Sequence, residues 1–463
     1  MPEPRCFALE NNLFIDDDWI AASDGLTRAT QQPEKLPSPI LDQDRPVYYM
    51  TVSYDPELGR YRMWYNAMGH PEHGPKLGYA YAESSDGVSW ERPDLGLVGA
   101  NYLDAPMGHW SFPFVDDGPD CRDPARRYKM GYYDAAPGRG MCVAFSADGL
   151  RFRPYAGNPV VPHMDPEMPP DAPDSNIISD ILDACYDPVR GEYLLGCKVW
   201  RGGFTGKPHH APEGHRRCVG LSASRDFVTW ERPRVIVTPD PEHGLEEFYG
   251  MKPIVRGNRY IGFLRVLRDD LPATPGGPVE GIGWTELMTS ADGRHWIRHP
   301  EPFLDREPRD GHWDHAMAWF GDIVTVGDRE YVYYGGYRAG HKIRAQIGDR
   351  SLGLALLRKN GFVARRAKVR SAWLKTPAAR LPARTLTVNA VVRGELRVRL
   401  VNEQGVAQPG CDWSDGPTVR GDAVAHRIDW RGADGMAMER ALSLEFMLSD
   451  ADLYGFDFLP AGQ

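Results

Sequence analysis

The sequence predicts an all-β chain, a five-bladed β-propeller followed by a C-terminal β-sandwich. Two repeats and one change of pattern lead to that prediction. The first repeat is an alternating strand that runs into Ser-x-Asp-Gly, with a Trp three residues past the Gly, and its clearest copy is Tyr79 to Trp90. Asp and Gly tolerate the positive φ that a two-residue hairpin turn needs at both central residues, so the copy reads as such a turn. Further copies are Ser146-Ala147-Asp148-Gly149 before Phe152, Ser224-Arg225-Asp226-Phe227 before Trp230, and Ser290-Ala291-Asp292-Gly293 before Trp296. Arg358-Lys359-Asn360-Gly361 is a degenerate fifth copy and Ser23-Asp24-Gly25 a partial sixth.

The second repeat is an Asp-Pro or Gly-Asn/Gly-Asp turn into an aromatic-rich strand. It occurs at Asp55-Pro56, Asp123-Pro124, Asp187-Pro188, Gly257-Asn258 and Gly327-Asp328, each 64 to 70 residues after the last. Each unit therefore reads strand, turn, strand, loop, strand, Asp-Gly turn, strand. Four antiparallel strands repeated five times is the pattern of a propeller. The change of pattern comes after Ala367, where the repeat stops. Leu386–Ala390, Leu396–Leu400, Ala425–Trp430 and Leu442–Leu448 then alternate as half-buried strands do, and Leu453–Phe458 reads as a last strand. Residues 1–367 are expected to form the propeller and 368–463 the sandwich.

Taken in order, residues 1–45 form a lead with short strands at Leu13–Ile15 and Trp19–Ala21. Such a pair is expected to pack onto a blade or help close the ring, because closure removes free sheet edges. The blades fall at about 46–105, 106–160, 174–240, 246–302 and 312–367. Three long loops, Pro159 to Pro173, Gly202 to His215 and Arg268 to Glu280, lie where binding sites are commonly shaped.

The chain has 463 residues and a formal net charge of −10 with no long basic run, which argues against nucleic acid or an anionic membrane as partner. Its seven Cys are an odd number without a Cys-x-x-Cys pair and read as free thiols. No stretch approaches a membrane span and the N-terminus lacks an apolar signal core, so a cytoplasmic location is expected. The oligomeric state is left open.

In a propeller the first strand of each blade lines the central channel, and the starts of those strands converge at one mouth. The polar residues there are Asp42, Asp44 and Arg45 in the first blade and His109 and Trp110 in the second. The third has Asp174, Asn176, Asp180 and Asp183, and the fourth Glu246, Glu247, Tyr249 and Lys252. The fifth has Asp310, His312, Trp313, Asp314 and His315. A carboxylate in an otherwise apolar inner strand is costly to bury, so it is expected to be paired or functional. Carboxylates meeting beside aromatic rings suit glycoside hydrolysis, in which one carboxyl protonates the leaving oxygen and another attacks or activates water. Asp180, Glu247 and Asp314 are the catalytic candidates. Arg45, His109, Trp110, Asp183, Tyr249, Lys252, His312 and Trp313 are the candidates for binding substrate. The Asp of each Asp-Gly turn reads as structural. His209, His210 and His215 read as solvated, since no standard zinc spacing is present, and neither metal nor cofactor is expected.

Tyr79 to Pro93, Asp187 to Tyr193, and Gly311-His312-Trp313-Asp314 with Tyr333-Tyr334-Gly335-Gly336 resemble bacterial proteins related to glycoside hydrolase families 32 and 43. The opening Leu13-Phe14-Ile15-Asp16-Asp17 is similar as well. The resemblance implies a five-bladed propeller with a C-terminal sandwich and a carbohydrate substrate. The sequence also departs from those families. The Trp-x-Asn-Asp-Pro-Asn and Glu-Cys motifs of the fructan hydrolases are absent, and the first two blades lack the inner-strand Asp of the arabinan and xylan enzymes. Arg122-Asp123-Pro124 matches the fructan Arg-Asp-Pro motif, but its place in the repeat makes it a turn. The expected activity is hydrolysis of a glycosidic bond, exo-acting on a short glycan or glycoside, with carboxylates from blades three to five. Two rivals are a non-catalytic carbohydrate-binding propeller and a metal-dependent lyase or isomerase that uses the histidines.

Overall fold

The structure is a computed structural model and describes residues 5–42, 46–68, 77–106, 113–134, 140–169, 172, 174–208, 212–341, 349–368, 371–432 and 440–460. Among these, strands joined by turns make up the fold, with short 3-10 turns at Pro124–Arg126 and Pro241–His243. The first of these begins at the Pro of the Arg-Asp-Pro segment. Asp123 caps it by accepting from the Ala125 amide, as a turn residue does.

Five groups of antiparallel strands follow one another along the chain. The first is Pro46–Asp55, Arg60–Met68 and Leu77–Ser84. The second is Phe114–Asp116, Tyr128–Asp134, Gly140–Ser146 and Arg153–Pro154. Leu182–Asp187, Glu192–Arg201, Arg216–Ser224 and Arg234–Val237 form the third, and Glu246–Arg256, Arg259–Arg268, Ile282–Ser290 and Ile297–Leu304 the fourth. The fifth is Met317–Val326, Arg329–Tyr337 and Arg350–Arg358. The first strands touch in sequence order and the fifth returns to the first, which closes a propeller ring. The outer strand of the fifth group is supplied from far away in sequence. Glu34–Lys35 pairs with Arg350–Arg358, so a later part of the lead completes the fifth group. The expected Leu13–Ile15 and Trp19–Ala21 pair does not: Asn12–Leu13 pairs with the last strand of the C-terminal sheet.

The rest of the lead joins the C-terminal sheet, and so does Val363–Ala367, which the repeat had assigned to the fifth blade. Val363–Ala367 lies between Leu26–Thr30 and the last strand, Ser443–Leu459. Asn12–Leu13 also pairs with that last strand, and Ala22–Asp24 pairs with Ala372–Lys375. The C-terminal strands are longer than the alternation implied. Thr385–Val401 and Ser443–Leu459 are single strands of 17 residues each, bent by register shifts at Asn389/Ala390 and Val392/Glu395. A bulge changes which face a side chain takes, so a bent strand reads in sequence as two. Phe7, Phe14 and Trp19 from the lead pack with Leu374, Val388, Leu396, Phe446 and Phe456 to form the sandwich core.

The Asp turns differ from the expected hairpin. Positive φ falls on the residue after the Asp: Gly87 at 73°, Gly149 at 75°, Phe227 at 66° and Gly293 at 65°, while no Asp of the four is among the positive-φ residues. The carboxylate organises the turn instead. Oδ1 of Asp86, Asp148, Asp226 and Asp292 accepts from the backbone N–H groups two and three residues on, at 2.7 to 2.9 Å in every copy. The preceding Ser hydroxyl donates to the same oxygen. Aromatics of the second strands then link neighbouring groups: Tyr333 donates to the Gly87 carbonyl and Trp64 to that of Gly149, both at 2.8 Å.

Candidate functional site

The mouth of the ring is where the third and fourth groups start their first strands. Asp180 precedes Leu182–Asp187, while Glu247 and Tyr249 open Glu246–Arg256. The second strand of the third group ends there with Lys198 and Trp200, and its third strand begins with Arg216 and Arg217. These side chains form one cluster. Asp180 Oδ1 lies 2.5 Å from Lys198 Nζ and accepts a hydrogen bond from the Ser179 hydroxyl at 3.0 Å. Glu247, fully buried, takes both the guanidinium and the backbone amide of Arg217. Asp269 stands 3.6 Å from the same Arg217 nitrogen and 3.6 Å from His341 Nδ1. The Arg217 guanidinium lies 4.7 Å from the Trp200 ring and 5.4 Å from Tyr249. Tyr249 in turn stacks on Trp319 at 4.7 Å and meets His341 edge-on.

The electrostatics follow from this packing. Burial alone would raise the Asp180 carboxyl, but the Lys198 ammonium beside it outweighs that and holds it well below the usual carboxylate range. Burial pulls Lys198 below its ordinary value, and Asp180 opposes the shift. Burial also raises the Tyr249 phenol, with the Asp180 charge adding to it. Asp180 keeps 27% of its side-chain exposure, against 4% for Lys198 and Arg217 and none for Glu247. The mouth therefore presents one ionised carboxylate to solvent, backed by two buried cations and framed by aromatic rings.

Of the residues named from sequence, Asp180, Glu247 and Tyr249 are brought together. Asp183 and Lys252 lie further along the same inner strands, each in an ion pair. Asp183 takes Arg265 in a two-pronged pair at 2.6 and 2.9 Å, and Lys252 faces Asp322 at 3.7 Å. Burial raises the Asp322 carboxyl, and Lys252 opposes the shift. Asp314 is not brought to the Asp180 cluster. It is fully buried over the fifth group, held by Lys35 at 2.6 Å, by His312 and by the Tyr334 hydroxyl at 3.2 Å. Trp313 packs on Tyr334 at 5.3 Å, and a side chain at Gly336 or Gly353 would collide with it. Glu246 points away from the cluster and shares Arg298 with Glu286. Arg45, His109 and Trp110 lie outside the described residues, as do His209 and His210.

Sequence reasoning did not reach Lys198, Trp200, Arg217 or His341, whereas Asp269 lies in the Arg268 to Glu280 loop it marked as one that shapes binding sites. The catalytic and binding candidates came from the first strand of each blade, whereas the missed residues sit at the mouth ends of second and third strands and in the loop beyond. Charged residues closing apolar strands, such as Lys198 after Leu194-Leu195-Gly196-Cys197, carried a signal. It becomes readable once the strand directions are known.

No protein-family model matches the chain, and no curated protein matches it. Solved structures resemble it at low identity. One described simply as a glycoside hydrolase shares 12% identity over 71% of this chain and 91% of its own, with a TM-score of 0.45. The Bombyx mori GH32 β-fructofuranosidase BmSUC1 shares 13% over 93% and 95%, with a TM-score of 0.43. A GH130 protein, from a family described as mannoside phosphorylases containing glycoside hydrolases that target β-1,2 mannosidic linkages in Candida mannan, shares 12% over 77% and 95%, with a TM-score of 0.39.

Proposed function

We propose that the protein is a glycoside hydrolase, exo-acting on a short glycan or glycoside, with its site at the mouth around Asp180. The observation that carries this reading is Asp180 itself, an ionised, partly exposed carboxylate paired with Lys198, whose ammonium lies over the Trp200 and Tyr249 rings. Glycoside hydrolysis needs one carboxylate that is ionised at the start and one group that gives a proton to the leaving oxygen. Asp180 suits the first role. Glu247 is a second carboxyl at this mouth, and its role as proton donor requires that substrate draw Arg217 off it.

A panel of aryl glycosides and natural oligosaccharides, assayed with and without chelator, tests the reading. Release of one sugar that survives chelator and falls at least a hundredfold in Asp180→Asn is the expected result. Full activity in Asp180→Asn would sink the assignment. One observation favours the second reading, a non-catalytic sugar-binding mouth: Asp180 and Glu247 are each held against a buried cation. On that reading the panel gives sugar binding and no turnover.

A further inference from the structure

Lys198 has more bonding capacity than the described residues around it use. Its ammonium carries three N–H donors and its side chain is 4% exposed. Among the described residues Asp180 is its carboxylate partner, and the Tyr249 and Trp200 rings lie 5.1 and 5.6 Å from Nζ. An aromatic face attracts the positive charge but accepts no strong hydrogen bond. Arg217, beside it against the same two rings, has a buried Nε with no hydrogen-bond partner among the described residues. Donors left unmade in a buried site are costly, and an oxygen ligand removes that cost.

The charges narrow the ligand. Lys198 is compensated by Asp180, and Arg217 by Glu247 and Asp269. Neither cation calls for a further anion, so the matched acceptor is a neutral hydroxyl rather than a sugar carboxylate. A hydroxyl both accepts and donates. Lys198 and Asp180 offer one strong donor and one strong acceptor side by side.

We propose that Lys198 and Asp180 together grip one hydroxyl of a neutral sugar, with Nζ donating a hydrogen bond to its oxygen and the Asp180 carboxylate accepting one from its O–H, so that Lys198 decides which sugar is taken. This deepens the carbohydrate reading above and rests on it. The alternative is that Lys198 serves only as a counter-ion that keeps Asp180 ionised.

The two are separated by binding as well as turnover, measured on the full chain. Methyl glycosides of glucose, galactose, mannose, xylose and arabinose, with methyl glucuronide, are titrated against wild type and Lys198→Met. The methionine keeps an apolar stem against the rings and removes the donors. The best neutral binder is expected to lose at least tenfold in affinity. One of its monodeoxy analogues should bind wild type at least tenfold more weakly than the parent and bind Lys198→Met no more weakly than the parent does, because a site built for a hydroxyl rejects its absence. Unchanged affinity in Lys198→Met, with only the pH profile or kcat moved, overturns the proposal. So does binding confined to the glucuronide. Should Lys198→Met fail to fold, the monodeoxy series on wild type decides, and no tenfold loss anywhere in it overturns the proposal. Sugar binding without hydrolysis sinks the hydrolase reading and leaves this one standing. Hydrolysis with unchanged Lys198→Met affinity does the reverse, and absence of both binding and turnover sinks both.

Discussion

Arg265 is fully buried and connects three strand groups. It sits on the fourth, pairs with Asp183 of the third and donates from Nε to the Phe320 carbonyl of the fifth at 2.8 Å. Gly250 makes room for it. Its φ is 149°, and a Cβ there would lie 2.8 Å from Ile181 Cγ2 and 3.3 Å from Arg265 Nη1. Removing one partner of a buried pair leaves an uncompensated charge, so Arg265→Met is expected to cost about 3–5 kcal/mol in urea unfolding. A cost below about 1 kcal/mol would show that Asp183 finds another partner easily. Asp314 is a residue of the same kind. Asp314→Asn is expected to lower the melting temperature while leaving sugar affinity at the mouth within about twofold, since additivity holds for sites that share no partners. A large loss of affinity would place Asp314 in the site after all.

At the scale of the element, the Asp turns are the unit the chain repeats. Each exposed carboxylate makes two backbone hydrogen bonds in the folded protein only. The Ser89 and Val88 amides hold Asp86 down at about 2, from an ordinary 3.8. A depressed carboxyl stabilises the fold above its unfolded value and loses that effect as the pH falls through its folded value. Asp86→Asn removes the charge and keeps the acceptor. Its stability deficit relative to wild type is therefore expected to be largest above about pH 4 and to vanish below about pH 2, by urea titration across that range. A deficit independent of pH would assign the effect to geometry instead of charge. Phe227 occupies the glycine position of one turn at φ 66°, fully buried against Tyr193 and Trp230. Aromatic packing there outweighs the backbone strain of a non-glycine residue.

At the scale of the whole molecule, the N-terminal lead belongs to both halves. Glu34–Lys35 completes the fifth group, while Asn12–Leu13, Ala22–Asp24 and Leu26–Thr30 lie in the C-terminal sheet. Arg259 of the fourth group, itself buried, pairs with Asp16 at 2.5 Å and Asp18 at 2.9 Å of the lead. Arg358 of the fifth group bonds Asn389 of the sandwich at 2.6 Å. Shared strands and buried pairs make separate unfolding costly, so calorimetry is expected to show one cooperative transition. Arg259→Met should lower it, and a resolved second transition in that variant would show that this pair couples the halves. Two transitions in the wild type would contradict the coupling.

Local chemistry determined the fold class. The Ser-x-Asp-Gly turn is satisfied within a handful of residues, and strand alternation reflects one buried and one wet face, so both are written where they act. That is why the repeated turns and alternating strands could be read along the chain, although Val363–Ala367, read as part of the fifth unit, pairs in the C-terminal sheet instead. The Asp180, Glu247 and Tyr249 part of the mouth was legible too, because a carboxylate at the start of an apolar inner strand is anomalous in one dimension. Tertiary structure decided the rest. Whether Asp314 faces the channel or is pinned by Lys35 depends on a strand 279 residues earlier. Lys198 and Arg217 reach the mouth only because the end of one strand and the start of the next, paired antiparallel, meet there. The bends that turn two apparent strands into one, and the N-terminal strands that close two sheets, come from pairing between distant segments. Long-range pairing and ion pairing depend on which segments meet, and no local pattern records that.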